Sequence, residues 1–290
     1  MSAPETDATR TSSTENFPVA SLLLAPERRA PILAYYRFAR AADDVADHPE
    51  LSPQEKIARL DAFEATLLGR EDGVEAAKPL RAALAADARL QARHALDLLR
   101  AFRLDATKRR YASFDELMAY CALSAAPVGR FVLNVHGEDE ATHPASDALC
   151  SALQIINHMQ DCALDFRRLD RVYLPLDMLE REGAGVEDLS APFASPALRA
   201  ALTRLAGKTD ALIAQGETLA PTLRDWRLRA EIGAIAALAQ KLNVILKRRD
   251  PLSQETHLSK PQALAVAARG ALGALTRRPR QGATRAGAPA

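Results

Sequence analysis

The sequence has few aromatic residues, few cysteines and no long apolar run. Aromatic residues make up 5% of the 290 positions, and the abundant Ala, Leu, Arg and Glu favour helix over strand. Because Cys121, Cys150 and Cys162 are odd in number and form no Cys-x-x-Cys pair, we expect reduced thiols in a cytoplasmic protein, without a disulfide or a zinc site. The longest apolar run, near 232–239, is much shorter than the roughly 20 residues of a membrane span.

Neither sign of charge dominates the chain. Lys and Arg number 38, and Asp and Glu number 37, so no overall field attracts nucleic acid and we predict no nucleic-acid partner. Hydrophobic residues make up 48% of the chain and charged residues 26%, which is the composition of a folded soluble protein. Charge that serves function must therefore be clustered locally.

The pattern predicts one all-α domain between two polar ends. We expect a disordered leader over residues 1–14, a single-domain helical bundle over 15–275, and a flexible tail over 276–290 with four arginines and no acidic residue. Apolar residues recur at helical spacing between these ends, with a loop or short helical turn at 180–195. Capping signals mark helix starts at Ser52, Ser113 and Ser195. The predicted helices span about 27–47, 53–69, 79–105, 114–136, 146–166, 196–219, 221–248 and 261–274.

Three aspartates lie at the predicted C-terminal end of the first helix. Pro49 disfavours helix at the residue before it, so Asp43, Asp44 and Asp47 fall in the last turns. Asp43 and Asp47 share a face, where they repel each other and the negative end of the helix dipole. We therefore expect a cation at this helix end, although one such cluster is also typical of a solvated acidic turn.

A second polar cluster recurs on a later helix. Asn157, Asp161 and Asp165 are four residues apart, with Gln154 nearby, so they share one face of an otherwise apolar helix. Two facing sets of such oxygen ligands suit Mg²⁺, with positions left open for phosphate oxygens and water. The pair of clusters predicts a diphosphate substrate, whereas a di-iron bundle requires Glu-x-x-His pairs.

Cationic and polar residues accompany both clusters. Arg40 precedes the first cluster, and Arg171 and Tyr173 follow the second. These residues suit a diphosphate leaving group, but for Arg40 a helix ion pair with the neighbouring aspartates is an equally good interpretation. His48 and His158 flank the clusters, and we expect them on other faces as ordinary helix residues.

Four motifs occur in order between about residues 16 and 260. They are Tyr36-x3-Arg40-x2-Asp43-Asp44-x2-Asp47, Tyr120-Cys121-x6-Val128-Gly129, Gln154-x2-Asn157-x2-Gln160-Asp161-x3-Asp165 and Arg171-Val172-Tyr173-Leu174-Pro175. Together they resemble the motifs of the trans-isoprenyl diphosphate synthases in the squalene/phytoene synthase family. The resemblance implies the all-α isoprenoid synthase fold, a helical bundle with a central cavity.

The same resemblance implies a role for each cluster. The implied Mg²⁺ ligands are Asp43, Asp47, Asn157, Asp161 and Asp165. The implied diphosphate contacts are Tyr36, Arg40, Gln154, Asn157, Arg171 and Tyr173. The implied catalytic set is Asp43, Asp44, Asp47, Asp161 and Asp165, with Tyr120 beside the reacting carbons. A dry apolar cavity then protects a carbocation; Phe131 and Leu133 are candidates for its lining, although plain core packing is more typical of each.

The sequences of two further segments, 16–21 and 124–129, are most similar to those found in the bacterial hydroxysqualene synthases of hopanoid biosynthesis. This similarity implies a lyase that converts presqualene diphosphate and water to hydroxysqualene and diphosphate. Two alternatives stay open. One is a head-to-head prenyl transferase that makes presqualene diphosphate, squalene or phytoene, and the other is a non-catalytic helical interaction module.

The sequence departs from the family pattern at three places. Near the start, the usual Ser-x-Ser-Phe phosphate contact is missing, and the chain reads Glu15-Asn16-Phe17 with Ser21 later. Residues 124–129 read Ser-Ala-Ala-Pro-Val-Gly, where most members have Val-Ala-Gly-x-Val-Gly. The proline, Pro127, predicts a kink beside the reaction cavity. An ordered water there needs polar partners, for which Ser124 and Tyr120 are candidates. Asp170 replaces the glycine that commonly precedes Arg171.

The basic tail also predicts a location. An apolar C30 substrate and a tail without acidic residues together favour a cytoplasmic protein in loose peripheral contact with the inner membrane surface.

Overall fold

The computed structural model describes residues 25–276, so the predicted leader and all but the first residue of the predicted tail lie outside the described residues. The described part of the chain consists of α-helices joined by short turns and four 3-10 helices, and it contains no β-strand. The all-α prediction is confirmed. The helices are α1 Pro26–Ala46, α2 Pro53–Leu67, α3 Lys78–Ala86, α4 Ala92–Thr107, α5 Phe114–Ser124, α6 Ala126–His136, α7 His143–Leu169, α8 Leu176–Glu182, α9 Pro196–Gly216, α10 Trp226–Arg248 and α11 Lys260–Thr276.

The chain divides between Arg109 and Arg110 into two compact units, each with its own buried core. In the first unit, the buried rings of Phe38 on α1 and Phe63 on α2 pack edge to face with centroids 5.6 Å apart. In the second unit, Leu133 of α6 packs against a leucine cluster from the turn before α10 and from α10 itself. Leu133 is therefore a core residue, which is the interpretation that an apolar side chain favours.

Two predicted helices are each divided in the structure. The predicted helix 79–105 is interrupted at 87–91, because the Asp87 carboxylate accepts a hydrogen bond from the backbone N–H of Arg89 and turns the chain. The predicted helix 114–136 breaks at Ala125, and Pro127 lies in the first turn of α6, where its missing N–H costs no hydrogen bond. The kink expected at Pro127 is thus a complete helix boundary.

Local sequence signals place most helix starts correctly. Ser52 accepts from the backbone N–H of Glu55, whose carboxylate accepts from Ser52 in return, and Ser113 and Ser195 cap α5 and α9 in the same way through their hydroxyls. Among the predicted starts, that of α10, expected at 221, is the furthest from the observed one. It begins at Trp226, because the Asp225 carboxylate accepts from the N–H groups of the first turn.

One described segment, Phe114–His136, is long and apolar enough to cross a membrane by length and composition alone. Half of its apolar window is buried inside the protein, as in the core helix of a soluble protein, and the backbone breaks within it at Ala125. The segment is therefore weak evidence for a membrane span.

The helices α10 and α11 form an antiparallel pair that packs at a very short distance. A Cβ atom added at Gly270 would lie 2.3 Å from the carbonyl oxygen of Gly233, and one added at Gly233 would lie 2.4 Å from the Cβ of Ala274. Real Cβ atoms do not approach other atoms so closely. The two glycines therefore set the distance between these helices.

We expect the substitution Gly270→Ala to destabilise the protein. The new methyl group would push against a backbone carbonyl, and overpacking of this kind costs about 1–3 kcal/mol. Gly273→Ala on the same helix is the matched control, because its Cβ would meet nothing within 4 Å while gaining the same helix propensity. Thermal unfolding should give a clearly lower midpoint for Gly270→Ala than for Gly273→Ala, and equal midpoints would contradict this account of the pair.

Candidate active site

The first acidic cluster lies where α1 ends. Asp43 and Asp44 occupy the last turn, and Asp47 follows the helix as its C-cap, with its backbone N–H donating to the Asp43 carbonyl at 2.9 Å. Arg40 lies 2.9 Å from the Asp43 carboxylate and 2.8 Å from that of Asp44. The ion-pair interpretation of Arg40 is confirmed, and one guanidinium bridges both aspartates. Tyr36 lies one turn earlier and is half-buried.

Negative charge exceeds positive charge at this helix end. The pKa of Asp43 is raised to about 7: burial and the neighbouring charge of Asp47 raise it most, Asp105 and Asp44 add to the rise, and Arg40 partly offsets it. A carboxyl group that resists ionisation in this way lacks sufficient positive charge nearby. A divalent cation would supply that charge.

The second cluster follows one face of α7. Gln154 lies just before the midpoint of this helix, and Asn157, Asp161 and Asp165 lie beyond it. All four are half-buried, while the neighbouring Ile155, Ile156 and Cys162 are buried against the core. The helix continues to Leu169, three residues beyond the predicted end. The predicted sharing of one helix face by these polar residues is confirmed.

His158 does not lie apart from this cluster, so the expectation that it occupies another face is wrong. Its Nε2 lies 3.1 Å from the Gln154 amide nitrogen, as residues four apart on a helix can be. Its ring stacks on Tyr173 with centroids 3.7 Å apart and an interplanar angle of 15°. His158 therefore connects a polar residue of α7 to the segment that follows the helix.

Tyr173 lies within a group of buried aromatic rings. Its centroid is 5.4 Å from that of Tyr111 and 5.3 Å from that of Tyr120, and all three tyrosines are less than 8% exposed. Such offset and tilted pairs stabilise each other beyond their buried area. The structure thus brings together Tyr120 and Tyr173, two of the predicted site residues.

The turn between α7 and Arg171 is held by an ion pair. Asp170 has φ 49° and ψ 36°, a left-handed conformation in which glycine is favoured. An aspartate in place of the usual glycine therefore adopts this conformation at some cost in free energy. Arg110 compensates, because its guanidinium donates to both the carbonyl and the carboxylate of Asp170. Arg171 follows with only 3% exposure, and its backbone N–H donates to the Asp165 carbonyl at 3.2 Å.

The residues after Arg171 are tied to the residues before α5. Val172 forms a parallel bridge with Arg110, and the N–H of Leu176 donates to the carbonyl of Tyr111 at 2.9 Å. The segment that carries Arg171 and Tyr173 is consequently fixed at both ends.

A buried hydroxyl lies at the break between α5 and α6. The Ser124 Oγ atom is buried and has no hydrogen-bond partner in the described part of the chain. Ser124 lies one turn after Tyr120 on the same face of α5. A separate cavity of about 270 Å³ in the second unit has a largely apolar lining drawn from α5, α6, α7 and α9. It lies on the other side of α5 from Ser124 and Tyr120, neither of which lines it. Its lining includes Met118, Ala122, Ala126, Ala148 and Leu212.

Comparison with known proteins identifies the family. A sequence model of the squalene/phytoene synthase family matches residues 10–262. The chain belongs to this family. Hydroxysqualene synthases of Sinorhizobium fredii and Rhodopseudomonas palustris are each 50% identical to it, over 89% and 93% of this chain and 87% and 92% of their own lengths.

Solved structures agree with the family assignment. The crystal structure of squalene synthase HpnC from Alicyclobacillus acidocaldarius is 31% identical, with a TM-score of 0.72 over 82% of this chain and 90% of that one. A dehydrosqualene synthase, 19% identical with a TM-score of 0.77 over 89% of this chain and 91% of that one, shares the fold. This squalene/phytoene synthase thus has the all-α isoprenoid synthase fold. It is an enzyme of isoprenoid biosynthesis.

The carboxylates of the two acidic clusters suit a Mg²⁺ ion that takes its remaining ligands from the phosphates of a substrate. Within residues 25–276, no three acidic, histidine or cysteine side chains converge into a complete metal site. Each cluster instead offers a carboxylate pair, and α7 adds the amide of Asn157. Mg²⁺ commonly takes one or two carboxylates together with phosphate oxygens and water. The donor chemistry therefore fits the ion.

Two charged residues near α1 were missed from the sequence. Asp105 of α4 is 3% exposed and raises the pKa of Asp43, although 62 residues separate them. Lys56 of α2 is 7% exposed, and its ammonium group donates to the Ala46 carbonyl at 2.8 Å. Lys56 is thus a cation at the negative end of the α1 dipole. Neither contact has a local signal in the sequence, because each forms only where another helix packs against α1.

Proposed function

We propose that this protein is a Mg²⁺-dependent hydroxysqualene synthase, which converts presqualene diphosphate and water to hydroxysqualene and diphosphate for hopanoid biosynthesis. The observation that carries the proposal is the sequence similarity to hydroxysqualene synthases, which are 50% identical to this chain over 89% and 93% of its length. Relatives named phytoene synthase match only about 60% of this chain, at 34–36% identity. Hydration is therefore favoured over head-to-head condensation.

The proposed reaction begins with loss of the diphosphate. The carbon–oxygen bond breaks, its electron pair leaves with the diphosphate, and the cyclopropylcarbinyl cation rearranges. Bound Mg²⁺ would neutralise the charge that develops on the leaving group, and its proposed ligands are Asp43, Asp47, Asn157, Asp161 and Asp165. Arg40 and Arg171 would orient the diphosphate by charge-assisted hydrogen bonds, with Tyr36, Gln154 and Tyr173 completing its contacts.

The second half of the reaction needs one water molecule in an otherwise apolar cavity. Its oxygen forms the new carbon–oxygen bond, and it releases one proton. We assign its positioning to Ser124, because a buried hydroxyl without a protein partner is stabilised by a bound water. The adjacent buried ring of Tyr120 would exclude further water and lie beside the cation.

Product analysis by mass spectrometry tests this proposal. With presqualene diphosphate and Mg²⁺, we expect an alcohol and diphosphate without a nicotinamide cofactor, and with farnesyl diphosphate alone we expect no product. In the same assay, Ser124→Ala should lower the ratio of alcohol to elimination products, whereas Ser190→Ala, in a 3-10 helix of the second unit, should not.

Other products would support other assignments. Presqualene diphosphate or phytoene formed from the linear precursors would replace the hydration proposal by head-to-head condensation. Absence of any Mg²⁺-dependent diphosphate release from either substrate would favour a non-catalytic interaction module.

A further inference from the structure

The helix α11 presents a continuous apolar stripe to solvent. Leu264, Ala268, Leu272 and Leu275 follow one another at intervals of three or four residues and are all exposed, Leu264 to 72% and Leu272 to 65%. We call these four residues the α11 stripe. Single exposed leucines are common on proteins, but four apolar residues in line along one helix are not.

The opposite face of α11 packs against α10. Gly270 and Ala274 pack against Gly233 on α10 so closely that a Cβ at Gly270 would overlap a backbone oxygen. The contact fixes the rotation of α11 about its own axis. The stripe is thus held outward by packing and cannot turn into the core.

An exposed tryptophan lies at one end of this helix pair. Because α10 and α11 are antiparallel and Gly233 meets Gly270 and Ala274, the start of α10 lies beside the end of α11. Trp226 begins α10, is 57% exposed, and has the guanidinium of Arg227 5.4 Å from its ring centroid. Tryptophan and arginine together are typical of surfaces that sit at the boundary between lipid and water.

The charge of this end of the chain has one sign. After Glu255, the remaining 35 residues include no Asp or Glu but include Lys260, Arg269 and four further arginines. Those four, Arg277, Arg278, Arg280 and Arg285, belong to the residues outside the described range that follow α11 directly. The apolar stripe is therefore adjoined along the sequence only by basic and neutral residues.

We propose that the α11 stripe and Trp226 form a surface that binds anionic lipid bilayers. An exposed apolar helix face with basic residues beside it inserts at the level of the lipid headgroups, and the positive charge attracts anionic lipid. This inference does not depend on the proposed reaction. It would place the enzyme where an apolar C30 substrate dissolves.

Charge complementarity favours a bilayer over a second copy of this chain. In a symmetric dimer built on the stripe, the same surface would meet itself, and the two acid-free ends would bring like charges together. An anionic bilayer brings the opposite charge to every basic residue of this end.

Vesicle flotation of the full chain, without substrate, tests the surface. With vesicles of equimolar phosphatidylcholine and phosphatidylglycerol at low salt, we expect binding, and with phosphatidylcholine alone we expect roughly tenfold weaker binding. Trp226 is the only tryptophan, so its emission should shift to shorter wavelength on the anionic vesicles only.

Two variants and a matched control separate the parts of the surface. The double variant L264Q/L272Q should lower binding to anionic vesicles roughly tenfold, and R277Q/R278Q/R280Q, which leaves every described helix intact, should do so comparably. Phe193→Gln removes a side chain that is equally exposed, at 65%, elsewhere in the second unit, and should bind as the wild type does. Circular dichroism checks the fold of each.

Three results would overturn the proposal. The first is equal binding of L264Q/L272Q and wild type to anionic vesicles, and the second is an unchanged Trp226 emission in their presence. The third is a dimer in solution that L264Q/L272Q dissociates while vesicle binding is absent, which would assign the stripe to a second copy of the chain.

Discussion

Replacing Asp47 or Asp161 by asparagine should lower turnover by about a hundredfold to a thousandfold, the usual cost of losing one group that stabilises transition-state charge. Asparagine keeps the size and one oxygen of the carboxylate but removes its charge, so a bound divalent cation loses much of its attraction. Both residues are half-buried; Asp47 is the C-cap of α1, and Asp161 lies within α7. The backbone hydrogen bonds of both helices do not use these carboxylates. Helix content by circular dichroism should therefore stay unchanged.

Metal binding can be measured apart from turnover. We expect Mg²⁺ with inorganic diphosphate to raise the unfolding temperature of the wild type, because a ligand that binds the folded state stabilises it, and to raise that of D47N or D161N much less. Asp97→Asn is the matched control, since Asp97 forms only a surface ion pair with Arg100 on α4. Wild-type turnover and wild-type metal stabilisation in D47N and D161N would remove both aspartates from the ligand set.

Replacing Glu231 by glutamine should stabilise the protein at pH 8 and leave its stability at pH 4 nearly unchanged. Glu231 of α10 is 7% exposed, and burial alone raises the pKa of its carboxyl to about 7. In the unfolded chain this group loses its proton near pH 4.5, so the folded state is penalised progressively as the pH rises from there to about 7. The full penalty above that pH is about 3 kcal/mol, and glutamine, which cannot ionise, avoids it.

Urea unfolding at a series of pH values measures this effect. The difference in unfolding free energy between E231Q and wild type should grow between about pH 4.5 and 7 and then stay constant. Glu140→Gln, at an exposed position in a 3-10 helix of the same unit, should show no such growth. A difference that is the same at pH 4 and pH 8 would mean that the Glu231 carboxyl is not buried in its neutral form.

The features that sequence predicts well here are those that depend on neighbours along the chain. The caps at Ser52, Ser113 and Ser195 use atoms within three residues of one another, and the spacing of Asp161 and Asp165 places them on one face of α7 whatever surrounds it. The ion pair of Arg40 with the aspartates of its own helix could be read in the same way.

The features that sequence misses depend on which helices pack together. Lys56 reaches the end of α1, and Asp105 acts on Asp43, only because α2 and α4 fold against α1. The stacking of His158 on Tyr173 depends on the fold as well, whereas its place beside Gln154 follows from their spacing of four residues and could have been predicted. The division at 87–91 depended on competition between helix propensity and the hydrogen bond of the Asp87 side chain, and a helical period alone does not decide between them.

The fixed segment from Asp170 to Leu176 bears on how quickly a substrate is accepted. A loop that becomes ordered only around its ligand loses conformational entropy at that moment, which weakens and slows binding. Here the Arg110 ion pair, the bridge to Val172 and the stacked rings of His158 and Tyr173 order the segment within the free protein. Arg171 and Tyr173 are thus held in place before any diphosphate arrives, so the entropy of arranging them is lost during folding and not at each encounter.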